Sequence, residues 1–217
     1  MEFTLFKELA ELSWINLITI GIALLAAVFL IAVLVRQRAQ NPSAFAAKKA
    51  NPTRALVYGA LCISLSFVLS YLKLFSLPQG GSITLVSMLP LAFYANRFGV
   101  KYGLVAGFAA GLLQFIQKPE VVHWIQPFLD YMFAFACLGL AGLFPNSLPI
   151  GMAVGGLGRT ICSTISGAVF FGMYAPEGMN PWVYSISYSL FLSIGPDTLL
   201  CVIASLLPPV KRLFERI

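Results

Sequence analysis

Seven apolar runs separated by short polar breaks organise the chain: Trp14–Val35, Arg54–Leu72, Ile83–Asn96, Val100–Gln117, Phe128–Phe144, Pro149–Gly172 and Trp182–Leu207. About 20 predominantly apolar residues suffice for a helix to cross a bilayer, so each run predicts a membrane helix. The third is short and must lean on its flanks. The first is too long for the apolar region of a signal peptide, lacks a basic start and leads into Arg36 and Arg38 rather than a small-residue cleavage site, so it reads as a retained helix. Residues 37–53 are polar, contain Pro42 and Pro52, and form a cytoplasmic linker. The following runs are joined by short Pro- and Gly-bearing loops, such as Leu77-Pro78-Gln79-Gly80-Gly81-Ser82 and Ala175-Pro176-Glu177-Gly178. The expected architecture is an all-α integral membrane protein. An additional N-terminal transmembrane helix (1–36) and the linker precede a six-helix bundle (54–217).

Composition agrees. Hydrophobic residues make up 59% and charged residues 10%, and mean hydropathy is +0.87, which leaves too little polar surface to cover a water-soluble globule. The net charge of +6 becomes a topology signal once helices alternate. Arg36, Arg38, Lys48, Lys49, Arg54, Arg97, Lys101, Lys211, Arg212 and Arg216 then fall on one side, against Lys7, Lys73 and Lys118 on the other. Basic residues concentrate in cytoplasmic loops, which places the N-terminus outside and the C-terminus inside the cell membrane. With no basic cluster on a soluble face, nucleic-acid binding is not expected. Cys62, Cys137, Cys162 and Cys201 all lie in apolar runs without CxxC spacing, which points to helix packing rather than disulfides or zinc.

The candidate chemistry begins with Asp130. It lies in the apolar run 127–144 of a chain that has no acidic residue between Glu11 and Glu120, and a carboxylate at such a position costs several kcal/mol unless it has a partner. At 1.5 Å per residue it sits roughly 5–10 Å below the outer surface. Tyr184 and Tyr188, four residues apart on one helix face, open the last helix from the same side, and Phe170, Phe171 and Tyr174 close the preceding one. An acid among aromatic faces suits an organic cation, with cation–π attraction of about 2 kcal/mol when desolvated. Glu177 and Asn180 are placed to act as a lid. A simpler reading keeps Asp130 as a local hydrogen-bonding group at a helix start.

Deeper in the bilayer, Arg159 and Asp197 occupy matched depths on antiparallel helices, about ten residues from their cytoplasmic ends, and are expected to form a structural ion pair. Their alternative use is a proton or ion path in an ion-coupled secondary transporter. Gly103, Gly107 and Gly111, with Ala106 and Ala110, predict a close-packed helix face; Ala55 and Gly59 form either a similar face or an exposed docking surface. Trp124 reads as an interfacial anchor, and His123, the sole histidine, has no companion for a metal site. No P-loop, nucleophile elbow or HExxH motif occurs, so neither enzyme chemistry nor a cofactor is expected, and any ATP-driven motor must be another protein.

A longer string of motifs carries a resemblance. Gln79-Gly80-Gly81-Ser82-Ile83-Thr84-Leu85 before Met88-Leu89-Pro90, the segment Gly107 to Phe115, Leu129-Asp130-Tyr131, Ser166-Gly167 to Phe171, and Tyr174-Ala175-Pro176-Glu177-Gly178-Met179-Asn180-Pro181-Trp182-Val183-Tyr184-Ser185 resemble the thiamine-specific substrate-binding subunits of energy-coupling factor transporters. The resemblance implies capture of thiamine from outside and delivery through a transmembrane coupling subunit with two cytoplasmic ATPases. It implies that Asp130, Tyr131 and Tyr184 contribute to the ligand site and that Ala55 and Gly59 touch the coupling subunit. Tyr188, Trp182 and Phe171 are expected as further walls. Ser163 and Ser189 stand where typical members carry a histidine and an asparagine, which admits another vitamin or a thiamine precursor as ligand.

Overall fold

The computed structural model describes residues 51–77, 81–176 and 178–216. The expected first helix, most of the linker and Glu177 lie outside the described residues. Helix α1 (Pro52–Tyr71) starts where Asn51 accepts a hydrogen bond from the Thr53 amide at 3.1 Å and Pro52 supplies a preset first turn. A short antiparallel hairpin follows, β1 (Lys73–Ser76) with β2 (Ser82–Thr84). Then come α2 (Leu89–Phe98), α3 (Val100–Gln117), α4 (Phe128–Leu143), α5 (Leu148–Phe170), α6 (Pro181–Leu206) and α7 (Pro208–Arg216). Helices α1, α3, α5 and α6 are each long and apolar enough to cross a membrane, and α4 is shorter. Their exposed faces carry large apolar side chains, Leu56 (74%), Val105 (66%) and Phe191 (69%) among them, as lipid contact requires.

The third expected span is corrected by the structure. Its first residues form β2 and a turn at which Val86 takes φ 51°, a left-handed conformation disfavoured for a β-branched residue, and the helix begins only at Leu89. Ten residues rise about 15 Å, half a bilayer core. Helix α2 is therefore an internal half-span, and every residue in it except Arg97 is buried.

Small residues set the distances within the bundle. The buried residues of α3 are Gly103, Ala106, Gly107, Ala110 and Gly111, the stripe expected from their spacing. A Cβ on Gly107 would lie 2.3 Å from the Phe135 carbonyl oxygen, and one on Gly111 2.3 Å from that of Tyr131. Backbone thus lies on backbone, and α3 directly supports the segment bearing Asp130. Ala55 and Gly59 also face inward: the Tyr94 hydroxyl donates to the Ala55 carbonyl at 2.9 Å and occupies the space a Cβ on Gly59 would need. The small-residue face of α1 is thus turned toward Tyr94.

Candidate functional site

Two helices depart from α geometry at the same cavity. Helix α4 opens with a π-helical turn over Phe128–Phe133, and α6 contains another over Tyr188–Ser193. Such wide turns shift the following side chains around the axis and recur at functional sites. In α6 the local cause is visible in the sequence: Pro196 cannot donate to the ladder, and Gly195 lets the Leu190 carbonyl come where a Cβ would lie 1.7 Å away.

Between these helices, α5 and the hairpin lies a cavity of about 180 Å³, bordered at its rim by Lys73, Lys118 and Glu120. Lys118 pairs with Glu120 at 2.8 Å. Its lining includes Gln114, Gln117 and Lys118 at one end of α3 and not Lys101 at the other.

Asp130 sits in its wall, and its Oδ2 accepts from Ser166 Oγ at 2.7 Å and Gln126 Nε2 at 3.1 Å. Gln126 in turn accepts from the Val122 amide at 2.9 Å, so loop and helix start are tied to the acid. These neutral donors make the half-buried carboxylate tolerable without cancelling its charge. Tyr131 lines the cavity with its ring edge-on to Phe115, centroids 5.5 Å apart, while its hydroxyl donates to the Lys118 carbonyl at 2.9 Å. Tyr184 and Tyr188 form the facing aromatic wall, their centroids 6.1 Å apart. Phe171, Ser163 and Ser189 complete the expected set, and all seven of these residues border the cavity.

Trp182 does not. It is buried beside the cavity at the start of α6, and Asn180 accepts from its amide at 2.9 Å as the helix cap. The cap role explains Asn180 locally. His123 stacks on Phe170 at 5.1 Å outside the cavity lining, and Trp124 is 72% exposed at that end. Among the described residues no cluster of His, Cys, Asp and Glu has metal-holding geometry. Cys137 and Cys162 face each other at 3.6 Å, a contact without a disulfide.

The expected ion pair is not formed. Among the described residues the ion pair within 4 Å is Lys118–Glu120. Asp197 instead accepts from the Thr84 amide at 3.2 Å and from Thr84 Oγ1 at 3.1 Å, anchoring the hairpin to α6. Arg159 lays its guanidinium 4.1 Å over the Phe135 ring. Both groups line the cavity. The hairpin, invisible to an argument from depth, captured Asp197. Thr84, Ser193 and Gln114 also border the cavity and had been passed over as individually unremarkable polar residues.

Helices long and apolar enough to cross a membrane, packed around a charged, aromatic-walled cavity, define a polytopic helical membrane protein. The family described as "Thiamine transporter protein (Thia_YuaJ)" matches over residues 56–215, and the chain belongs to it. Its relatives are transporters, not enzymes. "Thiamine transporter ThiT" of Bacillus subtilis (strain 168) is 36% identical over 145 residues, 59% of this chain and 74% of the relative. The protein of the same description from Lacticaseibacillus paracasei is 32% identical over 119 residues, 46% of this chain and 59% of that one. The solved structure of ThiT from Listeria monocytogenes superposes with a TM-score of 0.62 at 24% identity, covering 75% of this chain and 97% of that chain, and supports the fold.

Proposed function

We propose that the protein is the substrate-binding subunit of an energy-coupling factor importer, capturing thiamine from outside and handing it to a separate ATP-driven module. The observation that carries this reading is the half-buried Asp130, held by Ser166 and Gln126 in a cavity faced by Tyr184 and Tyr188. Thiamine joins a permanently charged thiazolium to an aminopyrimidine. A fixed carboxylate stabilises such a cation far more in a desolvated cavity than in water, and ring faces accept both of its flat halves. Ligand interactions then compensate part of the cost of desolvating the acid.

The orientation follows from charge. The cavity is lined by the Lys118 end of α3, and Arg97 and Lys101 lie at the other; the positive-inside rule makes the Lys118 end extracellular. The partners in this reading are a transmembrane coupling subunit and two cytoplasmic ATPases, since the chain carries no P-loop of its own.

The test is a calorimetric titration of the purified protein with thiamine and with uncharged vitamins, followed by uptake in vesicles. Saturable thiamine binding by the chain alone, with uptake only when the ATPase module is present, supports the proposal. Uptake by the chain alone that collapses with the proton gradient would instead establish the ion-coupled alternative.

A further inference from the structure

Beside the cavity lies a donor that has no partner among the described residues. Arg159 Nε is buried and has no hydrogen-bond partner. The guanidinium rests on Phe135 at 4.1 Å, which supports its charge but leaves its N–H groups without an acceptor there. The carboxylates that share the cavity are already engaged by neutral donors, Asp130 by Ser166 and Gln126 and Asp197 by Thr84. A buried charged donor left unpaired is costly, and its alignment beside a cavity gives the missing acceptor one place to come from.

Charge counting restricts what that acceptor is. Asp130, Asp197 and Arg159 together give the interior one net negative charge; at the rim Lys118 and Glu120 cancel and Lys73 adds one positive charge. A monocation neutralises the interior; a ligand that also carries an oxyanion leaves the negative charge uncompensated. Resting on the proposed function, we infer that Arg159 is a ligand-binding residue whose guanidinium donates to a neutral acceptor, a ring nitrogen or hydroxyl oxygen, on a monocationic heteroaromatic ligand. The cavity thereby recognises two features of one molecule, its positive charge through Asp130 and its acceptor through Arg159.

Electrostatics alone predicts the opposite mutational sign. Arg159→Met removes a positive charge from a cation site, so a guanidinium acting only through its charge, or only as a structural prop, gives unchanged or tighter thiamine binding in folded protein. The donor role predicts binding weaker by about 10- to 100-fold, the range for a hydrogen bond to a charged group. Titrations of full-length wild type, Arg159→Met and Arg159→Lys with thiamine and thiamine monophosphate, each checked for monodispersity and thermal unfolding, decide the matter. The expected results are that wild type prefers thiamine to its phosphate ester, that Arg159→Met loses thiamine affinity as stated, and that Arg159→Lys, with the charge but not the planar fork, loses about tenfold. If the methionine variant does not fold, the lysine variant decides. Wild-type affinity in the folded variant, or tighter wild-type binding of the phosphate ester, overturns this inference and leaves thiamine capture standing. Absence of saturable thiamine binding by wild type overturns the proposed ligand, and this inference with it.

Discussion

The two π-helical walls of the cavity are built on different supports. The α4 turn, Phe128–Phe133, rests backbone to backbone on α3 at Gly111, which meets Tyr131 and Met132, and carries Asp130 and Tyr131. Among the described residues no α3 glycine backs the α6 turn, Tyr188–Ser193, which precedes Pro196. One wall is fixed by packing and the other by its own covalent constraints. The contrast assigns charge recognition, which needs a carboxylate at a set depth, to the braced wall. It assigns shape recognition, through Tyr188 and Ser189, to the wall that can yield.

The largest effect should come from removing the brace. Gly111→Leu drives a side chain into the Tyr131 carbonyl; overpacking of this kind costs about 1–3 kcal/mol, and binding should be abolished along with a fall in thermal midpoint. A variant with wild-type binding would show that α3 does not position Asp130. Tyr188→Phe on the yielding wall should cost far less, about 0.5–1.5 kcal/mol or up to roughly tenfold in affinity, the value of one hydrogen bond. A loss as large as that of Gly111→Leu would erase the distinction between the walls. Smallest should be Trp182→Phe. Trp182 is buried but does not line the cavity, so it should lower stability with affinity changed by less than about threefold; a larger change in a calorimetric titration would bring it into the site.

Much of this was legible in the residues. Helix α3 runs over the expected Val100–Gln117, its glycine stripe faces the bundle, and seven of the eight expected substrate contacts share one cavity. The errors have a common cause. Hydropathy gives depth along the membrane normal but not rotation about a helix or the path of a short hairpin. Arg159 and Asp197 both line the cavity, yet Thr84, from a segment that reads as apolar helix, took the carboxylate. For the same reason Ala55 and Gly59 were recognisable as a small-residue face while its direction, toward Tyr94, was not. Trp182 stands two residues after the Asn180 cap, at a helix start that buries it beside the cavity.

The central claim is that Asp130 supplies the counter-charge for a cationic ligand. The direct measurement is a thiamine titration of wild type against Asp130→Asn, an isosteric change that keeps acceptor capacity toward Ser166 and removes the charge. The account predicts saturable binding by wild type and a loss of about 100-fold or more in the variant, as expected when a buried charge interaction worth about 3 kcal/mol or more is removed. Equal affinity in the two proteins would contradict it.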